Sequence, residues 1–321
     1  MVTTRLLDVI GFGSICVDFI FKVNRYPKRG TTNLSTTTMI SCGGIIGNFL
    51  VACSRLGLRC GITGIIGMDY YGKMIIDCLL KHDIDTSMLV VDPKGSSAKV
   101  VCIVDRRGER TFIVDPGVQA HVTLPEKVRE YVGKCRVFHT DCLDVRLASI
   151  LLKESKQSNA MTSVNVGALA EHAFQKMKGS WIQDVLKFCD VAFISKDNAR
   201  RMFPGLNNVE VLEKMLQCGV KVAVMTLGKK GCIVASNEGL TEVSTFKVNV
   251  VDTTGAGDAF EAGFIYAMLR GLDLRSAAIF GNAVAAIKCT KLGAQTGLPT
   301  LSEVKEFLIE RGYGSLASSV E

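Results

Sequence analysis

The segment Val250-Val251-Asp252-Thr253-Thr254-Gly255-Ala256-Gly257-Asp258-Ala259-Phe260 carries a β-branched run into a glycine-rich turn, and the turn into an apolar stretch with helical spacing. Gly255, Ala256 and Gly257 have almost no side-chain bulk, so a ligand can approach their backbone N–H groups closely. A helix start offers unpaired donors and the positive end of the helix dipole, which together form an anion site. Asp258, in the first turn, would stand beside whatever anion binds there. Two negative groups at one helix start suit a pure anion site poorly. They suit a carboxylate that takes a proton from a nucleophile attacking phosphorus. The plain alternative is an ordinary Asp near a helix N-terminus, stabilising it by roughly 0.3–1 kcal/mol; the flanking glycines favour the chemical reading.

Outward from this segment, strands alternate with helices. The patterns predict buried strands over 6–11, 60–66, 136–139, 161–164, 191–194 and 221–226, and helices over 48–56, 70–81, 144–156, 209–217, 256–270, 274–289 and 302–309. That alternation argues for an α/β fold, a central mostly parallel sheet with helices on both faces. Two stretches break it. Residues 15–38 are β-branched and threonine-rich around an Asn24-Arg25-Tyr26-Pro27 turn. Residues 99–105 and 110–114 flank Arg106-Arg107-Gly108-Glu109, a hairpin signature. Segments of about 15–38 and 99–115 are expected to form a small β-strand lid over the carboxyl edge of the sheet, inserted in a single domain spanning 1–321. The alternative is decoration of the main sheet's edge.

Composition excludes several classes. With 321 residues, 48% hydrophobic and 21% charged, the chain is too apolar for wholesale disorder. A mean hydropathy of +0.27 raises the question of membrane insertion. The apolar stretch 277–287, bracketed by Arg275 and Lys288, is about half the roughly 20 residues a span requires, so a buried helix is expected and no membrane partner. Arg5 is followed only by Leu6-Leu7 before Asp8, which forms no secretory core and points to a cytoplasmic protein with reduced thiols. The 12 Cys are scattered singly without a CxxC pair, and His82, His121, His139 and His172 show no HExxH spacing. A His/Cys metal cage is not expected; packing of small hydrophobes is. The net charge of +7 comes from dispersed Lys and Arg with no basic run interleaved with aromatics. It suits an enzyme of anionic ligands better than a nucleic-acid binder. Among phosphate-binding patterns, GxxxxGK[ST] is missing, Gly11-Phe12-Gly13 lacks a third glycine, and no HRD or DFG set occurs.

The segment Asp252-Thr253-Thr254-Gly255-Ala256-Gly257-Asp258 resembles the C-terminal signature of the ribokinase-like (PfkB) carbohydrate kinases. Gly43-Gly44-Ile45-Ile46-Gly47-Asn48, with Arg55-Leu56-Gly57 and then Gly64-Ile65-Ile66-Gly67-Met68-Asp69, resembles the family's N-terminal signature. The likeness runs over nearly the whole chain in family order, ending at Lys291-Leu292-Gly293-Ala294-Gln295.

The resemblance implies ATP-dependent transfer of a γ-phosphoryl group to a substrate hydroxyl, with Mg²⁺ and, as in many members, K⁺. It assigns Asp258 as general base and the N–H groups of Gly255, Ala256 and Gly257 as anion hole. It assigns Asp18, Gly43, Gly44 and Asn48 to the sugar or polyol, where a carboxylate and an amide suit paired hydroxyls. Ser195, Thr226, Gly228, Gly231 and Asn282 fall at nucleotide positions, and Asp252, Thr254, Lys288, Lys291, Gly293 and Gly297 at the monovalent-cation positions. One departure is visible: the family's Asn-x-x-Glu aligns with Ser195-Lys196-Asp197-Asn198, which lacks the glutamate and puts Mg²⁺ handling in question. The lid implies a homodimer contact. Within the same chemistry a nucleoside kinase is the second reading, with Phe19, Phe21, Tyr26 and Phe112 as stacking candidates. Arg106, Arg107 or Arg110 would serve a phosphorylated acceptor. From another class, the missing glutamate would suit an impaired sensor that only binds sugar or nucleotide.

Overall fold

Adjacent residues along the strands bury into opposite sides of one sheet, as a two-residue repeat requires. Val9, Val137, Phe193 and Val224 belong to one apolar core, and their neighbours Ile10, Phe138, Ile194 and Met225 to another. The computed structural model describes residues 7–106, 108–167 and 181–320; Arg107 and His172, both named above, lie outside them.

Thirteen strands occur among the described residues: β1 (Leu7–Phe12), β2 (Cys16–Val23), β3 (Ser35–Gly43), β4 (Cys60–Gly67), β5 (Asp85–Asp92), β6 (Lys99–Val104), β7 (Arg110–Asp115), β8 (Cys135–Thr140), β9 (Met161–Asn165), β10 (Val191–Ser195), β11 (Val222–Thr226), β12 (Cys232–Ser236) and β13 (Gly239–Val243). Nine form a large sheet in the order β13-β12-β11-β10-β9-β8-β1-β4-β5. It is parallel from β5 to β11, while β12 and β13 add an antiparallel hairpin at one edge. The helices are α1 (Ile45–Arg55), α2 (Tyr70–Lys81), α3 (Lys127–Val132), α4 (Val145–Gln157), α5 (Trp181–Leu186), α6 (Lys196–Met202), α7 (Asn208–Gln217), α8 (Ala256–Leu269), α9 (Leu274–Lys288), α10 (Leu301–Glu310) and α11 (Gly314–Ser318). Helices α1, α2 and α8 to α11 cover one face, and α3 to α7 the other. Burial on both faces accounts for the high hydropathy: every residue of β4 is buried. All twelve thiols are free, and nine of them are buried. Among the described residues no helix is long and apolar enough to cross a membrane; the apolar run of α9 packs against α8 instead.

The remaining strands form a separate sheet, β3-β2-β6-β7. Strand β2 runs antiparallel to β3 and parallel to β6, and β6 and β7 form the expected hairpin. Edge decoration of the main sheet is therefore excluded. The first excursion extends past residue 38 to Gly43 and leads directly into α1. Phe19 of β2 packs edge-on against Tyr71 of α2 with ring centroids 5.6 Å apart, seating the small sheet on the large body.

Helix α1 begins at Ile45, ahead of the expected 48, because its cap comes from elsewhere in the chain. Gly44 at the N-cap has no side chain and adopts φ +87°. Ser14 replaces it: its hydroxyl accepts from Ile45 N–H at 3.1 Å, and its carbonyl from Ile46 and Gly47 N–H at 3.1 and 3.3 Å. Helices α8 and α9 cross closely through glycine. A β-carbon on Gly263 would lie 2.8 Å from Val284 and 3.0 Å from Gly281, and one on Gly281 2.8 Å from the Phe260 carbonyl. Gly281→Val is expected to cost about 1–3 kcal/mol by overpacking this crossing. A urea titration would show it as a lower midpoint at unchanged slope.

Candidate active site

Parallel strands end together at their carboxyl edge, and the chain's polar residues collect there. Ser14 follows β1, Asp141 follows β8, and Asn165, Ser195 and Thr226 end β9, β10 and β11. Asp141 ties this rim together. One of its carboxylate oxygens accepts from Ser14 N–H at 3.0 Å and from the Ser14 hydroxyl, and the other from Leu143 N–H at 3.0 Å.

The N-termini of α1 and α8 converge above the rim. Asn48, in the first turn of α1, donates from Nδ2 to Asp258 Oδ2 at 2.8 Å. Gln295 Nε2 donates to Asn48 Oδ1 at 3.2 Å, which fixes the amide's orientation. Asp258 is 8% exposed. Burial first, then the nearby Glu261, pushes its carboxyl up to about 8, against the opposing bond from Asn48. Gly255 caps α8 in the left-handed region at φ +78° and abuts Ala294. Ala256 N–H is engaged by the Thr253 carbonyl at 3.2 Å. Gly257 is exposed, with nothing within 4 Å of where a β-carbon would lie. The open side of the helix start is thus at Gly257, directly before the buried carboxylate.

Behind Asp258 lies a polar group that the sequence patterns did not single out. Glu261 is 3% exposed; its Oε1 accepts from Asn165 Nδ2 at 2.7 Å, and its Oε2 lies 3.4 Å from His139 Nε2. His139 Nδ1 meets the Ser163 hydroxyl at 2.8 Å, and its ring stacks on Phe49 at 3.9 Å. Burial drives the imidazole down to about 3 and raises the Glu261 carboxyl well above its ordinary range, the latter helped by Asp141. The imidazole is therefore neutral near pH 7. A lone glutamate among Ala259, Phe260, Ala262 and Phe264 was the available signal, since an acid on an all-apolar helix needs a buried partner.

The small sheet contributes two groups. Asp18 on β2 is 7% exposed, accepts from Cys16 Sγ at 3.3 Å, and is pushed by burial up to about 6. Its carboxylate fills the space a side chain on Gly43 would need, which explains the glycine at that position. Gly44 meets Ser14 in the same way: a β-carbon there would be 2.5 Å from the Ser14 carbonyl. From β7, Arg110 Nη1 donates to the Thr253 hydroxyl, directly before the Gly255 turn. Of the two described hairpin arginines, Arg110 reaches this loop. Arg106 lines a cleft with Asn24, Arg25, Tyr26 and Asp105.

The remaining candidates divide. Ser195 and Thr226 are register partners on β10 and β11. Gly228 and Gly231 both take positive φ around a short turn, at +58° and +99°, and Gly231 packs on the Val243 carbonyl. Asn282 is buried in α9 and donates to the carbonyls of Val243 and Ser244, each at 3.4 Å. It thereby pins the segment that backs Gly231. Of the cation positions, Asp252, Thr254, Lys288 and Gly293 are joined by hydrogen bonds, Gly297 packs against the Lys288 carbonyl, and Lys291 is exposed.

A large α/β sheet with a four-stranded accessory sheet and two helix N-termini facing one carboxylate defines the ribokinase-like class of fold. The model of the pfkB carbohydrate kinase family matches residues 7–301, and the chain belongs to that family, whose members are phosphotransferases with an alcohol acceptor. It is 28% identical over 305 residues to a ribokinase of Haemophilus influenzae, covering 92% of this chain and 96% of that protein. It is 27% identical over 310 residues to a nucleoside kinase of Methanothermobacter thermautotrophicus, covering 95% and 97%. The structure of an Arabidopsis thaliana ribokinase complexed with ribose and ATP superposes with a TM-score of 0.82 at 21% identity, covering 94% of this chain and 98% of that one.

An acid whose pKa rises on folding holds its proton more tightly folded than unfolded. Asp258 therefore subtracts stability as pH climbs from its ordinary 3.8 toward 8. Asp258→Asn keeps an acceptor for Asn48 and carries no charge. Its melting temperature is expected to gain on the wild type progressively between about pH 4 and 8, measured by thermal denaturation across that range.

Proposed function

We propose that this enzyme transfers the γ-phosphoryl group of ATP to a hydroxyl of a sugar or related polyol, with Asp258 as general base. The observation that carries the reading is the buried Asp258 carboxylate, oriented by Asn48 and adjoining the open backbone at Gly257. A group titrating near the working pH is matched to taking a proton from an alcohol as phosphorus is attacked. The N–H groups of Gly255 and Gly257, with that of Ala256 once its long turn bond yields, face developing charge on the phosphoryl oxygens. Asp18, Gly43, Gly44 and Asn48 would hold the acceptor; Ser195, Thr226, Gly228 and Gly231 would hold the nucleotide. Asn282 would act through the segment it pins. The small sheet would be the lid of a single kinase domain, and its exposed strand β7, with Phe112, Ile113 and Val114, is a surface on which two copies could pair.

Mg²⁺ fits this site only together with the nucleotide. Among the described residues no cluster of three or more His, Cys, Asp or Glu side chains could cage a metal. An ion brought in by ATP takes most of its ligands from phosphate and water and asks little of the protein. The missing glutamate at Ser195-Asn198 is consistent with that division. When bound, the ion would neutralise phosphate charge; the orientation of both reactants would rest on the side chains above.

Ribose bound in the plant structure supports the sugar reading. Phe19 is committed to Tyr71, which leaves fewer free rings for stacking a nucleobase. A phosphorylated sugar is favoured by one observation, the approach of Arg110 to Thr253. Retention of Asp258 with its amide partner argues against a sensor that only binds.

A panel of sugars, sugar phosphates and nucleosides with MgATP, scored by ADP release, tests the reading. Asp258→Asn should lower kcat by about 10²–10⁴-fold with nucleotide binding retained; near-normal turnover would remove the base assignment. For the wild type, kcat/KM should rise with pH, reach half its maximum near pH 8 and level off above that, since the carboxylate must be ionised to act. Arg110→Ala should raise KM selectively for sugar phosphates if the guanidinium meets the acceptor. It should lower kcat for every acceptor if the guanidinium meets the transferred group.

A further inference from the structure

Lys288 ends α9 and is completely buried, an unusual place for a lysine unless its charge is matched. Its Nζ donates to the backbone carbonyl of Asp252 at 2.8 Å. The carboxylate of Asp252 is engaged by other groups. One oxygen accepts from Thr254 N–H at 2.9 Å and the Thr254 hydroxyl at 2.7 Å, and the other from Gly293 N–H at 2.8 Å. Asp252 N–H in turn bonds to the Cys289 carbonyl at 3.2 Å, and Gly297 is packed against the Lys288 backbone. The loop before α8 and the loop after α9 are therefore closed around one ammonium group, three residues ahead of Gly255.

These are the positions that family resemblance assigns to a free monovalent cation, and they do not fit one. The Asp252 carbonyl, which such an ion would need, is occupied by Nζ. A second cation there would face the ammonium inside the protein, with the single Asp252 carboxylate already balancing the Lys288 charge, and like charges at short range repel strongly where water is excluded. Lys291 is exposed, so its side chain brings no second charge into this core. We propose that the Lys288 ammonium is this site's cation, tethered by the chain, and that the enzyme neither binds nor requires free K⁺. The fixed charge stiffens the Asp252–Thr254 turn and adds to the positive potential at the start of α8. The catalytic consequence rests on the anion-hole reading given above; the absence of a K⁺ requirement does not.

The test begins with native protein freed of alkali metals in a tetramethylammonium buffer. Adding KCl or RbCl at constant ionic strength should change neither its melting temperature nor its turnover relative to tetramethylammonium chloride. A rise in melting temperature specific to K⁺ and Rb⁺ would overturn the proposal, and this arm needs no substrate, so it stands apart from any failure to find one. Lys288→Met preserves volume without charge and should weaken MgATP binding by about 10- to 100-fold in calorimetry, the order expected for a lost charge-assisted bond. Lys288→Ala should show weakened MgATP binding that recovers when methylammonium or K⁺ enters the vacated space. Unchanged nucleotide affinity in Lys288→Met would mean that the ammonium does not act on the site, and would overturn the proposal as well.

Discussion

The hydrogen bond from Asn48 to Asp258 joins groups 210 residues apart in the chain, and both halves of the fold are arranged to hold it. Each partner lies in the first turn of a helix, so two positive dipole ends point at the same carboxylate. That field reduces the cost of ionising a carboxylate from which water has been removed. Helix α1 keeps its place because Ser14 caps it and Asp141 grips Ser14; helix α8 keeps its place because Gly263 and Gly281 let α9 approach. Gln295 closes the circuit by orienting the Asn48 amide, and is itself held by Cys78 at 3.3 Å. A displacement of either helix start breaks the same bond.

What was legible in the sequence follows from how locally each feature is determined. Helix α2 lies at its expected 70–81 because Asp69 caps it through the Gly72 N–H at 2.7 Å, a contact between near neighbours. Helix α1 was misplaced at its start because its cap comes from Ser14, across the site. Strand β5, half-buried at the sheet edge, has no continuous buried face, and β12 and β13 follow so closely on the Gly228–Gly231 turn that their short runs do not stand apart from it. In the site, Asp258 and its flanking glycines stand out by local pattern, and Asn48 through the family resemblance. Asp141, Glu261 and His139 do not: each is a single polar residue in an apolar stretch, and its meaning depends on a partner supplied by another strand or helix.

The electrostatics of the site run against the composition. The chain carries a net charge of +7, yet the groups nearest the helix starts are Asp18, Asp141, Asp252, Asp258 and Glu261. Burial raises four of these toward neutrality. Burial also acts on Asp252, but the Lys288 charge and the bonds from Thr254 and Gly293 outweigh it and hold that carboxyl below its ordinary range. Burial and hydrogen bonding thus moderate the negative charge gathered beside the two helix starts.

The positive groups that remain come from three different parts of the fold. The helix dipole belongs to α8 itself and is always present. Lys288 is fixed in the core behind it. Arg110 belongs to β7 of the small sheet and reaches the Thr253 hydroxyl only because Phe19 and Tyr71 seat that sheet on the body. Two of the three are therefore rigid, and the third depends on the relation between the sheets. Asp18 stands on the same small sheet, on strand β2, so Asp18 and Arg110 are seated together. Any shift of the small sheet against the body would therefore move the Asp18 carboxylate and the Arg110 guanidinium together relative to the start of α8.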